Sequence, residues 1–159
     1  MFRNIRRVEN EIKQEDEIIN LLMTSRRAVI AVNGDDGYPY ALPINYFFDK
    51  ELNCIYFHSS KFCHKVDSLR KSDKVCFTVY GNEKIKDEHW APYIQSVVIF
   101  GRCHPIVDSN TAIEKLKKFA MKYYPNEEMI NKEISKSFKA VQMFEIKIEH
   151  MSCKEVQEK

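Results

Sequence analysis

The segment FHSSKFCHKVDSLRK, Phe57 to Lys71, crowds hydroxyls and positive charge at one point of the chain. An alternating run ends at His58, and helical spacing then passes through Phe62, Val66 and Leu69, so Ser59, Ser60, Lys61, His64 and Lys65 fall where a strand hands over to a helix. Free backbone N–H groups and the helix dipole favour an anion at such a junction, and Lys65 with a protonated His64 would add charge-assisted bonds to a phosphate. Ser59 and Ser60 are expected to cap the helix, with Arg70 and Lys71 in its last turn. A capped helix with a solvated basic face is the plainer account, and on motif form alone it is the commoner one. A second motif bears on the choice. In ALPINY, Ala41 to Tyr46, an asparagine stands inside an alternating strand just after a proline. Asn45 could present its amide to the edge of a heteroaromatic ring, or simply satisfy the backbone of a bulge.

Other chemistry is poorly supported. Cys54, His58, Cys63 and His64 do not have the spacing of a zinc knuckle. Cys63 beside His64 lacks an orienting acid for nucleophilic catalysis, since sequence neighbours need not face each other. The five cysteines are odd in number and without CxxC spacing, so reduced thiols are expected and a metal is not.

The elements that must position these residues are mostly strands. Residues 12–24 carry acidic residues before Ile19, Leu22 and Met23, which predicts a short surface helix. AVIAV from Ala28, the turn GDDG (Gly34 to Gly37), and the alternating Tyr38, Tyr40, Leu42, Ile44, Tyr46 and Phe48 predict a β-hairpin with a kink near Pro43. Further strands are expected over Cys54–His58, Val75–Tyr80, Tyr93–His104 (with Gly101 as a bend) and Ala140–Met151. Residues 81–92 are expected to form a loop whose Trp90 docks on the body. Ile113, Leu116, Ala120 and Tyr123 predict a helix, and a second helical stretch follows Pro125. One domain spanning residues 1–159 accommodates this order. Its 25 basic and 23 acidic residues leave a net charge of +2, too little to argue for nucleic acid or a membrane surface as partner. MFRNIRRVENEIKQEDE lacks a secretory apolar run, and no stretch is long enough to span a bilayer, so a cytoplasmic protein is expected.

Five ordered motifs now matter together: RNIRRVENEI, GYPYALPINY, IYFHSSKFCHKVDSLRKSDKVCFTV, YIQSVVIFGR, and a helix containing EKLKKFAMKYYP. In this combination the chain, over residues 3–151, resembles the FMN-binding split-barrel superfamily of pyridoxamine 5'-phosphate oxidases. Within it the chain is most similar to the nitroimidazole-resistance proteins. The resemblance implies a mainly β fold, a six-stranded antiparallel split β-barrel of Greek-key type with flanking helices, assembled as a homodimer that holds FMN at the subunit interface. It implies that Pro43, Ile44, Asn45 and Tyr46 line the flavin ring, and that His58 and Ser59 line the ribityl and phosphate side. His64 and Lys65 would be phosphate ligands, and Ser96 and Val97 would complete the pocket. Trp90 and Tyr93 are weaker candidates for a wall from the neighbouring subunit.

The function implied is that of an FMN-dependent oxidoreductase with a small-molecule electron donor and acceptor, nitro compounds among the acceptors. A non-catalytic flavin- or haem-binding module is the alternative, with His58, His64 and His104 as candidate axial ligands, and an interaction protein that has lost the cofactor is a third reading. There are departures. Cys63 stands where many relatives have glycine, Ser152, Cys153 and Lys154 replace Thr-Gly-Lys, and the tail MSCKEVQEK lacks the Arg and His substrate motif of true pyridoxamine phosphate oxidases.

Overall fold

A computed structural model describes residues 1–87 and 89–158. Helix α1 (Glu15–Thr24) opens with Glu15, Asp16 and Glu17, where carboxylates favour the helix dipole, and seals Leu21 and Leu22 completely from solvent. Strand β1 (Ala28–Asn33) buries Ala28, Ile30 and Val32 in alternation. The expected tight turn follows at Asp35–Gly37, with Asp36 at φ 54 and Gly37 at φ 79, and leads into β2 (Pro39–Ile44). The chain then continues through β3 (Phe47–Asp49), β4 (Cys54–Ser60), α2 (His64–Lys71), β5 (Lys74–Lys84) and β6 (Tyr93–Pro105). Helices α3 (Ser109–Met121) and α4 (Glu127–Ser137) precede the final strand, β7 (Val141–Gln157).

The strands form one sheet in the order β2-β1-β5-β6-β7-β4-β3, and every paired neighbour is antiparallel. The two edge strands, β2 and β3, are consecutive in the chain, so the sheet curls until its edges meet at Asn45 and Tyr46. This is an antiparallel split barrel. Six strands are expected from the sequence and seven are observed, because the long run from Tyr38 to Phe48 is broken at that corner rather than at Pro43. Tyr123 holds the break. Its hydroxyl accepts the Tyr46 N–H at 2.9 Å and donates back to the Tyr46 carbonyl at 2.7 Å, satisfying backbone groups that leave both ladders.

Inside the barrel, Ile30, Phe57, Phe77, Val79, Val97, Ile99 and Ile146 form the main core. A second core lies between the outer face of β4 and β7 and helix α3, built from Tyr56, Ala112, Leu116, Phe119 and Met143. The polar exception beside it is the buried pair Asp49 and Lys115, with Nζ 3.3 Å from Oδ2. Gly101 bends β6 as expected, at a register shift opposite β7, and a Cβ there would come within 2.5 Å of the Lys147 carbonyl oxygen.

Three expectations are corrected. Ser59 and Ser60 do not cap α2, because β4 continues through both and the N-cap position falls to Cys63. Trp90 does not dock and is 82% exposed. The last strand runs to Gln157 instead of Met151, since β6 pairs with it as far as Tyr93. Among the described residues, no helix is long and apolar enough to cross a membrane, and no group of three or more His, Cys, Asp or Glu is placed to hold a metal ion.

Candidate functional site

The β4–α2 junction is where the structure gathers unsatisfied charge. Lys65 enters the body of the protein from the first turn of α2, is only 7% exposed, and has no carboxylate partner among the described residues. Its ammonium lies 5.4 Å above the Phe57 ring. Burial pulls its pKa down, and the only charges acting the other way are the thiols of Cys63 and Cys103. An isolated buried cation costs several kcal/mol unless an anion joins it, so this site is built short of one negative charge.

The surroundings suit an anion. Cys63 precedes the helix in extended conformation and makes no capping hydrogen bond, so the first N–H groups of α2 face only its sulfur, a weak acceptor. The Ser59 hydroxyl is buried and lies 3.4 Å from the Cys63 sulfur. Other residues of the same segment, Lys61, Phe62, Val66 and Arg70, line a cleft of about 400 Å³ with Cys103 and Gln142, in the size range of cofactor sites, although Ser59, Cys63 and Lys65 are not themselves part of its wall.

The remaining expected site residues fall into three groups. His64 sits at the junction but is committed elsewhere, stacked 4.2 Å from the Tyr40 ring with Nε2 3.2 Å from Asp35. His58 turns to the other face of β4, edge-on to Phe119 at 4.8 Å, in a recess of about 90 Å³ formed with Leu116, Ala120, Ile130 and Phe138. Burial, and then the Lys65 ammonium, lower its pKa and favour the neutral ring. Across the split, Pro43 and Asn45 are exposed, and the Asn45 carbonyl accepts from Arg27 Nη1 at 2.8 Å. Ile44 and Tyr46 point into the core, where the Tyr46 hydroxyl donates to the Leu22 carbonyl at 2.6 Å, which leaves only backbone to face a ring.

Ser96 and Val97 are not brought to this place. Ser59 pairs with Gln142 on β7, whereas Ser96 pairs with Lys154, twelve residues further along the same strand, a contour of roughly 40 Å at the usual rise. Val97 is fully buried in the barrel. Two participants escaped sequence reasoning. Cys103, on β6, shares a cleft wall with Val66 and Arg70 of α2 and acts on Lys65 through the fold alone, and Tyr123 acts through a hydroxyl contributed from the turn after α3; neither carries a local signal. Arg26 and Arg27, which line an open cavity with Pro43 and Tyr80, were likewise not anticipated, although adjacent arginines are a signal that the sequence carries.

This geometry accompanies a family match. Residues 14–155 match the family described as Pyridoxamine 5'-phosphate oxidase. The chain belongs to that family. Solved structures of similar fold include a candidate 5-nitroimidazole antibiotic resistance protein of Bacteroides thetaiotaomicron, 17% identical with a TM-score of 0.78 over 92% of this chain and 87% of that one. An FAD-binding protein of Mesorhizobium loti is 21% identical with a TM-score of 0.62, covering 90% of this chain and 95% of that one. An FAD- and haem-binding protein of Mycobacterium smegmatis is 16% identical with a TM-score of 0.68, covering 94% of this chain and 74% of that one. At these identities the likeness establishes the split-barrel fold. No curated protein matches the sequence.

Proposed function

We propose that this member of the pyridoxamine 5'-phosphate oxidase family binds a flavin, FMN by preference, and acts as an oxidoreductase on small molecules, nitro compounds among its acceptors. The observation that carries the reading is Lys65, a buried lysine with no carboxylate partner among the described residues, at a helix start that only a sulfur faces. One buried cation suits one terminal phosphate, which favours FMN over a longer dinucleotide. The flavin-binding proteins among the structural neighbours add support. When bound, the isoalloxazine supplies the redox chemistry, taking a hydride and passing electrons on. The protein's own task is then positioning. Lys65, the Ser59 hydroxyl and the first N–H groups of α2 hold the phosphate, the Pro43 to Tyr46 backbone borders the ring, and a neutral His58 leaves its face of β4 uncharged.

The separation of Ser96 and Val97 from Lys65 supports a homodimer. Ser96 completes such a pocket only when a second copy brings it, since Val97 is sealed inside its own barrel, and Tyr80 on β5, 63% exposed, and Phe100 on β6, 38% exposed, present aromatic surface on neighbouring strands.

The test is the visible spectrum of the purified protein after incubation with FMN and desalting. A retained band at roughly 450 nm is expected of a protected flavin, followed by oxidation of NADH or NADPH when a nitro compound is added. Colourless protein overturns the reading. A Soret band instead favours the haem-binding module, for which the accessible, neutral His58 is the best placed ligand.

A further inference from the structure

The cysteine that opens α2 stands among groups an inert thiol does not need. Cys63 is half-buried, extended at φ −167 and ψ 163, with the Ser59 hydroxyl 3.4 Å from its sulfur. Lys65, two residues on and 7% exposed, has no carboxylate partner among the described residues, and the sulfurs of Cys63 and Cys103 are the groups that act to raise its pKa. Burial pushes the Cys63 thiol up, but the Ser59 hydroxyl, the Val66 N–H and the Lys65 ammonium outweigh it and hold the thiol below its ordinary value. The cysteines of the barrel go the other way: burial drives Cys103 up to about 12 and Cys153 up to about 11. A partly accessible sulfur beside a helix start and an unpaired cation is the setting of a nucleophilic thiol. Those same groups make the seat for an external anion.

We propose that Cys63 is a redox-reactive cysteine whose sulfur shares the anion seat of the β4–α2 junction, so that its oxidation by a hydroperoxide closes the seat to a phosphate-bearing ligand. In that step the sulfur attacks the terminal peroxide oxygen, an S–O bond forms and the O–O bond breaks. The sulfur loses two electrons, and the leaving oxygen takes the thiol proton and departs as water or an alcohol. The product is a sulfenic acid, and once its O–H proton is released to solvent the sulfenate puts a negative oxygen beside Lys65, the charge that a phosphate otherwise supplies. A dithiol reverses the reaction by returning two electrons and becoming a disulfide. The identity of the displaced ligand rests on the flavin reading, whereas the reactivity of the sulfur does not.

The test uses the full reduced chain. Iodoacetamide at neutral pH, followed by peptide mass mapping, is expected to label Cys63 about tenfold faster than the half-buried Cys76, and Lys65→Met to remove most of that advantage. Inorganic phosphate and FMN are each expected to slow the labelling. Hydrogen peroxide is expected to abolish FMN retention on a desalting column, and dithiothreitol to restore it. Cys63→Ser is expected to retain after peroxide the same fraction of FMN that it retained before. Labelling of Cys63 no faster than of Cys76, or FMN retention that peroxide leaves unchanged in the native chain, overturns the proposal. If the untreated protein retains no FMN, the flavin reading fails by itself, and protection of Cys63 by inorganic phosphate then decides: protection supports the shared seat, and its absence refutes it.

Discussion

Replacing Lys65 by methionine separates the two roles that a buried cation combines. In the folded chain Lys65 is 7% exposed, has no carboxylate partner among the described residues, and its ammonium gains the Phe57 ring, 5.4 Å away. Desolvating an ion costs several kcal/mol, and a cation over a ring returns about 0.5–2 kcal/mol, so the flavin-free fold carries a net penalty at this position. Methionine has similar length and no charge. Lys65→Met is therefore expected to stabilise the flavin-free protein by about 1–3 kcal/mol, in the range seen when buried ions give way to apolar groups. The pH dependence has a definite sign. Because burial lowers the Lys65 pKa, the unfolded chain holds this proton more tightly, and native stability rises as pH climbs toward the ordinary lysine value. The variant should lose that rise. Binding should respond in the opposite direction: loss of a charged hydrogen bond worth about 1.5–3 kcal/mol predicts FMN affinity weaker by roughly tenfold to a hundredfold. Riboflavin, which lacks the phosphate, should be affected little. Guanidinium melts of the flavin-free protein and fluorescence titrations with both flavins measure each term. A variant that is less stable than the native chain, or that loses FMN and riboflavin affinity equally, refutes the assignment of Lys65 as a phosphate-seeking charge.

Three further outcomes follow from the packing. Asp49→Asn leaves the buried Lys115 with only the exposed Glu114, 3.6 Å away, and should cost about 1–3 kcal/mol in a denaturant melt, with Lys115→Met on the same chain recovering much of the loss; burial pushes the Asp49 carboxyl up, but the Leu52 N–H and Lys115 outweigh it, so its contribution should disappear as pH falls below the normal aspartate range. Gly101→Ala brings a Cβ within 2.5 Å of the Lys147 carbonyl oxygen and 2.8 Å of Ile146 Cγ2, and should lower stability by about 1–3 kcal/mol by thermal melt. Lys122, set 4.0 Å over the Tyr46 ring, has its pKa lowered to about 8 by burial and by Arg26, so stability should climb between about pH 8 and pH 10 and Lys122→Met should flatten that limb.

The strands were legible in the sequence because their period is local. Ile30, Val32, Phe77 and Ile146 alternate with solvent-facing residues, and each inward residue is buried where the pattern places it. Failures came where a tertiary group overrides local chemistry. Pro43 looked like the natural place for a kink, yet it sits on the edge strand with no donor to lose, paired opposite Val29. The break falls two residues later because Tyr123, from α3's end, supplies the missing hydrogen bonds there. Likewise Ser59 and Ser60 have the right type for caps, but pairing with Gln142 and Val141 keeps them in β4.

At the site, residue type was the useful signal and sequence adjacency the misleading one. His64 and Lys65 are neighbours, and both were assigned to one phosphate, but successive helical positions lie about 100° apart and do not face each other. One turns out to Tyr40 and Asp35, and the other turns in toward Phe57. What distinguishes them is therefore burial, a property of the closed barrel and absent from the string FCHKV. The 3.2 Å contact with Asp35 occupies His64 at the surface, where such contacts add little to stability, while Lys65 has no carboxylate partner among the described residues. A charge the fold leaves unpaired in its interior is stable only if something else arrives, and that asymmetry, more than the basic character of the segment, points from this junction to a ligand.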